Sequence, residues 1–230
     1  MRQPFYSRFF GSSFPELNVS TSSFYKTWTG LETQQFQNLL HSLQCPPDEK
    51  HRVLLALTLI KFRKNLSFED LASLSGWSYG TVNRGYHYCL DLLTNDFVPG
   101  NLGFGHINRD QAEQHHTIIA KDLFNVPDSA VIVIADGTYF YQQKSTNHSY
   151  ARKSFSSHKG ENLIKPFIIC LPNGYIIDID GENNAIDNDA KILRKILSTN
   201  TEASQFFHNG DVFILDRGFR DCIPLLKMVI

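Results

Sequence analysis

Ser129-Ala-Val-Ile-Val-Ile-Ala-Asp-Gly-Thr138 is the stretch on which the fold turns. Its centre, Val131-Ile-Val-Ile134, is continuously apolar rather than alternating, and such a run predicts a strand covered on both faces. A carboxylate, Asp136, follows at the end of the run, and Gly137 then opens a turn. Downstream the same texture recurs: KPFIICL at 165–171, GYIIDI at 174–179 and DVFILD at 211–216 read as strands. Pro172-Asn-Gly174 between two of them is a hairpin signal. A helical pattern over residues 188–197 separates the hairpin from the last strand. Strand, long polar insert, hairpin, helix, strand is the opening of a mixed sheet, not the regular alternation of a doubly wound fold. The fold class is α/β.

Upstream of this stretch the texture is helical. Residues 48–64 place Val53, Leu54, Leu57 and Ile60 on one helix face. Ser67, followed three residues later by Asp70, forms a capping-box pattern for a short second helix with Phe68, Leu71, Ala72 and Leu74 on its apolar side. Gly76 suits a left-handed helix end. A third helix is predicted over residues 79–93. Ala72, Gly76 and Val82 stand where a helix-turn-helix needs a small residue, a turn glycine and a β-branched core residue. In that arrangement Ser78, Tyr79, Thr81, Asn83 and Arg84 are offered to a major groove. A plain three-helix bundle with these side chains merely solvated is the alternative. Arg52, Lys61, Arg63 and Lys64, with no acid among them, tilt the balance toward DNA.

The boundaries that follow are a flexible arm over residues 1–27, a helix-turn-helix domain over 28–93, a linker with one connecting helix (109–123) over 94–128, and an α/β domain over 129–230. Net charge is -1, so any polyanion-binding surface has to be local. Cys45, Cys89, Cys170 and Cys222 show no paired spacing, which argues against a zinc site or disulfide framework and for a reducing compartment. The apolar stretch 53–60 is too short to cross a bilayer, and residues 1–22 lack the continuous apolar run of a secretory signal. A soluble intracellular protein is expected.

Chemistry is concentrated in the second half. Asp136 and Asp216 each end an apolar strand. If the strands are neighbours, the two carboxylates converge, and such a pair calls for a divalent cation such as Mg²⁺ or Mn²⁺. The competing reading is that each Asp caps its own turn, as Asp does before glycine. The insert 144–165 carries Lys144, Arg152, Lys153, Lys159 and Lys165 against the single acid Glu161, together with His148 and His158. With Tyr150 and Phe155 interleaved, it suits phosphate contact and base stacking. In the acidic stretch Asp178 to Asp189, either Asp187 or Asn188 caps the following helix, and Asp180 or Glu182 is a lesser candidate for a metal.

Asp136-Gly137-Thr138, Ser157-His158-Lys159 with Lys165 downstream, Pro172-Asn-Gly174 and Asp216-Arg-Gly-Phe219 together resemble DDE-type transposases of the PIF/Harbinger kind. Thr29-Gly30-Leu31 and Phe36 are similar to the helix-turn-helix region that precedes the nuclease domain there. The resemblance implies an RNase H-like fold, with Asp136 and Asp216 as the first two catalytic, metal-binding acids on its first and fourth strands. It implies Mg²⁺-dependent cleavage at the ends of a double-stranded DNA element and strand transfer. It further implies a Myb-like DNA-binding partner, and a nuclear location in a eukaryote or a cytoplasmic one otherwise. The third acid of that family, a Glu on a later helix, has no counterpart. Fourteen residues follow Asp216, and their sole acid, Asp221, lies too close to substitute. The chain therefore reads as C-terminally truncated. A non-catalytic DNA-binding protein of transposase origin is the alternative. A haloacid dehalogenase phosphatase, suggested by Asp136-Gly137-Thr138, is set aside because Ile134 stands where its nucleophilic Asp is required.

Overall fold

The computed structural model describes residues 25–127, 129–224 and 226. It divides into two compact units, Met1–Gly100 and Asn101–Ile230. The division falls inside the expected linker of residues 94–128. Of the expected N-terminal arm, residues 1–24 lie outside the described residues. Residues 25–27 belong to a helical turn over 25–29, whose Tyr25 is buried against Phe36 with ring centroids 5.0 Å apart.

The first unit is helical: α1 (Thr33–Ser42), α2 (Glu49–Lys64), α3 (Phe68–Ser75) and α4 (Tyr79–Leu92). Its termini are local sequence written into geometry. Asp48 accepts the His51 N–H at 2.9 Å to open α2. Ser67 and Asp70 exchange backbone bonds as a capping box. Gly76 ends α3 at φ 73°, a region open to glycine at little steric cost. Residues 53–58 of α2 are all buried, not one face of them, because α2 is the central helix of this unit. Val82 is buried as expected, but the tightest helix approach is elsewhere. A Cβ on Gly85 would lie 2.1 Å from Leu54 Cδ2, so glycine is what lets α4 settle on α2. Past α4 the chain widens into a π-helical turn, Leu93–Phe97.

The second unit is mixed α/β. Its strands are β1 (Ile132–Gly137), β2 (Phe140–Tyr141), β3 (Phe155–Ser156), β4 (Glu161–Cys170), β5 (Ile176–Asn184) and β6 (Val212–Ile214). β4 pairs antiparallel with β1, β2, β3 and β5, and β6 lies parallel to β1 on its far side. Pro166, which has no N–H to give a ladder, falls at a register shift in β4. Gly174, at φ 90°, closes the expected β4–β5 turn. Two helices, α5 (Arg109–Glu113) and α6 (Ile118–Phe124), precede β1; α7 (His148–Ser154) lies between β2 and β3, and α8 (Asp189–Thr199) and α9 (Thr201–Phe206) between β5 and β6.

One sheet face carries the core: Val131, Val133, Ala135, Phe167 and Ile169 pack with Ile192, Leu193 and Ile196 of α8. On the other face Ile134 and Ile168 are only half-buried. The apolar run of β1 is thus fully enclosed through Val133 and opens toward its C-terminal end. That corrects the expectation of cover along its whole length.

Three further expectations change. The single connecting helix is two, α5 and α6, because Thr117 caps a new start and His116 leaves the helix to accept the Ile132 N–H on Nε2 at 3.0 Å. The insert is not a bare loop: Asn147 caps α7 within it. Finally, Lys165 is a residue of β4, 3% exposed, and not part of the exposed insert.

Candidate active site and nucleic-acid surfaces

β1 and β6 pair in parallel with Ile132 opposite Val212 and Ile134 opposite Ile214. Asp136 and Asp216 each lie two residues beyond the last of these pairs. The two carboxylates therefore leave neighbouring strands at the same level, and both residues are exposed. Neighbouring parallel strands progress in the same direction, so side chains equally far along them stand side by side.

Each carboxylate is anchored by one oxygen. Asp136 Oδ1 accepts the N–H of Gly137 at 2.8 Å, and Asp216 Oδ1 accepts the N–H of Gly218 at 2.6 Å. The turn capping expected of each Asp is present, and it leaves the second oxygen of each carboxylate out of the turn. The strand pairing, for its part, sets the two residues at the same level on neighbouring strands. Residue Asp136 is exposed, yet its carboxyl is partly enclosed. That desolvation raises its pKa from the usual carboxylate value, the Gly137 N–H opposes the shift, the charges of Asp189 and Asp216 add to it, and Lys165 lowers it. Anionic neighbours at a strand end are what a hard divalent cation relieves. Mg²⁺ is commonly held by one or two carboxylates while keeping several waters, so two carboxylates are the type of donor such an ion takes. Among the described residues no group of three or more His, Cys, Asp or Glu side chains converges.

With that geometry in place, the comparisons fall on the same region. Residues 135–229 match the family model described as DDE superfamily endonuclease. The match begins one residue before Asp136 and encloses Asp216. It supports a DDE-type nuclease or transposase at the level of that superfamily. No curated protein and no solved structure matches the chain.

The acids of β5 and of the turn before α8 have other partners. Asp180 meets Lys195 Nζ at 3.2 Å and Asn183 Nδ2 at 2.9 Å. Asp187 pairs with Lys191 at 2.6 Å, while Asn188, not Asp187, caps α8 by accepting the Lys191 N–H. Sequence reading missed Asp189. Its Oδ1 lies 2.8 Å from Lys165 Nζ, beside the backbone of Gly137. The only signal in the sequence was an acid in the first turn of a helix, which is common for dipole reasons alone.

Lys144, Arg152, Lys153, His158 and Lys159 are exposed, as a phosphate-binding surface requires, whereas Lys165 is buried and ion-paired. Phe140 and Tyr141 of β2, 57% and 75% exposed, join Tyr150 and Phe155 as open aromatic side chains around this segment. α7 is held to β2 by the Tyr150 hydroxyl, which donates to Gln142 Oε1 at 3.0 Å.

In the first unit Ser78, Tyr79 and Arg84 are exposed and Asn83 is half-buried, all at the start of α4. The Ser78 hydroxyl accepts the Thr81 N–H as a cap. A cleft of about 510 Å³ between α2 and α4 is lined by Lys50, His51, Thr81, Arg84 and Tyr88 among others. Lys50 and His51 were not anticipated, because only packing of α2 on α4 brings them beside Arg84.

Proposed function

We propose that this chain is a transposase-derived DNA endonuclease. Its second unit would hold an Mg²⁺ or Mn²⁺ ion between Asp136 and Asp216, in a partial RNase H-like sheet. The carrying observation is the matched position of these carboxylates on paired parallel strands, inside the region matched by the DDE superfamily endonuclease model. The chemistry that such an ion supplies is activation of a water or hydroxyl for attack on a phosphodiester and relief of charge on the leaving oxygen. The chain's own residues do the rest. Asp136 and Asp216 bind, and the N–H groups of Gly137 and Gly218 orient them. Lys144, Arg152, Lys153, His158 and Lys159 face the phosphates of double-stranded DNA, with Tyr141 and Phe140 as stacking surfaces for bases.

In the first unit the α3–α4 pair acts as a helix-turn-helix that reads duplex element ends through Ser78, Tyr79, Asn83 and Arg84. A Harbinger-type system adds a Myb-like partner and a nuclear setting. The test is nicking of supercoiled plasmid in Mg²⁺ or Mn²⁺. Asp136→Asn and Asp216→Asn each lose on the order of 100-fold or more of the wild-type rate. Wild-type nicking unaffected by either change refutes the assignment.

The lack of a third converging acid among the described residues favours a second reading, a DNA-binding protein of transposase origin without cleavage. Retention of DNA in a gel shift with no nicking under either metal supports it.

A further inference from the structure

Lys165 lies within β4 with its side chain 4% exposed, and a buried ammonium must have its charge met. Three groups meet it: Asp189 Oδ1 at 2.8 Å, the Asp187 carbonyl oxygen at 3.2 Å, and the Tyr139 ring, whose centroid is 5.0 Å from Nζ. Burial alone would push the ammonium pKa down. The Asp189 bond and charge, with Tyr139, outweigh it and raise the value from that of an ordinary lysine, so Lys165 keeps its charge.

What sets this pair apart from a simple tie between α8 and the sheet is the residue it presses on. A Cβ at Gly137 would stand 2.1 Å from Asp189 Oδ1 and 2.6 Å from Lys165 Cε. Contacts that short are sterically excluded, so the ion pair occupies the volume of a side chain at 137. The N–H of Gly137 is in turn the donor to Asp136 Oδ1. A continuous line of contact thus runs from the buried ions through one peptide to the first carboxylate of the site.

We propose that the Lys165–Asp189 ion pair is a positioning device for Asp136, acting through the Gly137 peptide, and that Asp189 is not itself a metal ligand. This rests on the nuclease reading of Asp136 and Asp216. Partners that orient ligating groups typically change metal affinity or activity by about 10–100-fold when removed.

The test is calorimetric titration of the full chain with Mn²⁺, without DNA, for wild type, Asp136→Asn, Lys165→Met, Asp189→Asn and Gly137→Ala. Thermal unfolding by circular dichroism and DNA retention in EDTA run alongside. Lys165→Met, Asp189→Asn and Gly137→Ala are each expected to weaken Mn²⁺ binding about 10–100-fold while DNA retention in EDTA is unchanged. Gly137→Ala keeps both charges, so it decides the matter if the ion-pair variants do not fold. Tighter Mn²⁺ binding by Lys165→Met would mean that Asp189, once released, is a ligand, and the proposal falls. Lower thermal stability with affinity within about twofold of wild type makes the pair purely structural, and it falls again. In both of those cases Asp136→Asn remains impaired. If Asp136→Asn binds Mn²⁺ like wild type, or wild type binds none, the nuclease reading fails and takes the proposal with it.

Discussion

Removing the guanidinium of Arg109 should loosen the end of the sheet opposite the candidate site. Arg109 donates to both oxygens of Asp211, Nη1 at 2.7 Å and Nη2 at 2.8 Å, and also to the carbonyl oxygens of Phe206 and Ser129. Asp211 further accepts the N–H of Val131 at 2.7 Å and of His208 at 2.8 Å. Its side chain is 1% exposed and that of Arg109 19%. The pair therefore joins the entry of β1 to the entry of β6, the two strands that carry Asp136 and Asp216 at their far ends. Arg109→Met keeps the stem and strands a buried carboxylate, a change that costs about 3–5 kcal/mol. For a unit of this size that is roughly 10–20 °C of melting temperature.

The pH dependence adds a sign. Burial pushes the Asp211 carboxyl up, but the Arg109 hydrogen bonds, the N–H groups of His208 and Val131 and the Arg109 charge more than offset it, and its pKa lies below 3.8. The unfolded chain then takes up the proton first. The stabilisation is complete above the unfolded value and disappears as pH falls through the folded one. The gap between wild type and Arg109→Met is therefore widest near neutrality and narrows below about pH 4. Trp28 and Trp77 both lie in the first unit, so tryptophan fluorescence reports that unit, and far-UV circular dichroism is the measurement to use. A loss under about 1 kcal/mol at pH 7, or a gap independent of pH, refutes the reasoning.

Three other outcomes follow from particular contacts. Gly85→Ala overpacks Leu54 and should cost about 1–3 kcal/mol in tryptophan-monitored urea unfolding, and a neutral result would mean that α2 and α4 are not so close. His116, whose pKa burial and then the Lys121 charge hold below 6.5, accepts the Ile132 N–H as a neutral ring. The unfolded chain protonates first, so protection of the Ile132 amide against exchange should decline as pH drops below 6.5, and His116→Phe should abolish that dependence. Replacing Lys144, Arg152, Lys153 and Lys159 together by Ala should weaken duplex binding and flatten the plot of log affinity against log salt by about 3–4, and an unchanged slope removes the insert from the DNA surface.

The helical unit was legible because its signals are local. Ser67 with Asp70, and Gly76, act within a turn of where they stand, and each cap forms where the residues announce it. Misreadings arose where distant groups decide. The split between α5 and α6 depends on a bond from His116 to Ile132, sixteen residues on. Lys165 looked like one more cation in a basic run, and only the pairing of β4 with its neighbours on both sides turns it inward to Asp189.

The order of residues by itself determined the strand and helix periods, the caps, the hairpin turn and the presence of a carboxylate at each of two strand ends. Those properties depend on neighbours within a few positions, where backbone sterics and short-range hydrogen bonds dominate. Only the tertiary structure decided that β1 and β6 lie side by side, that Asp136 and Asp216 stand level, and that a buried ion pair fills the space beside Gly137. Those facts belong to groups dozens of residues apart, brought together by burial of a shared apolar face.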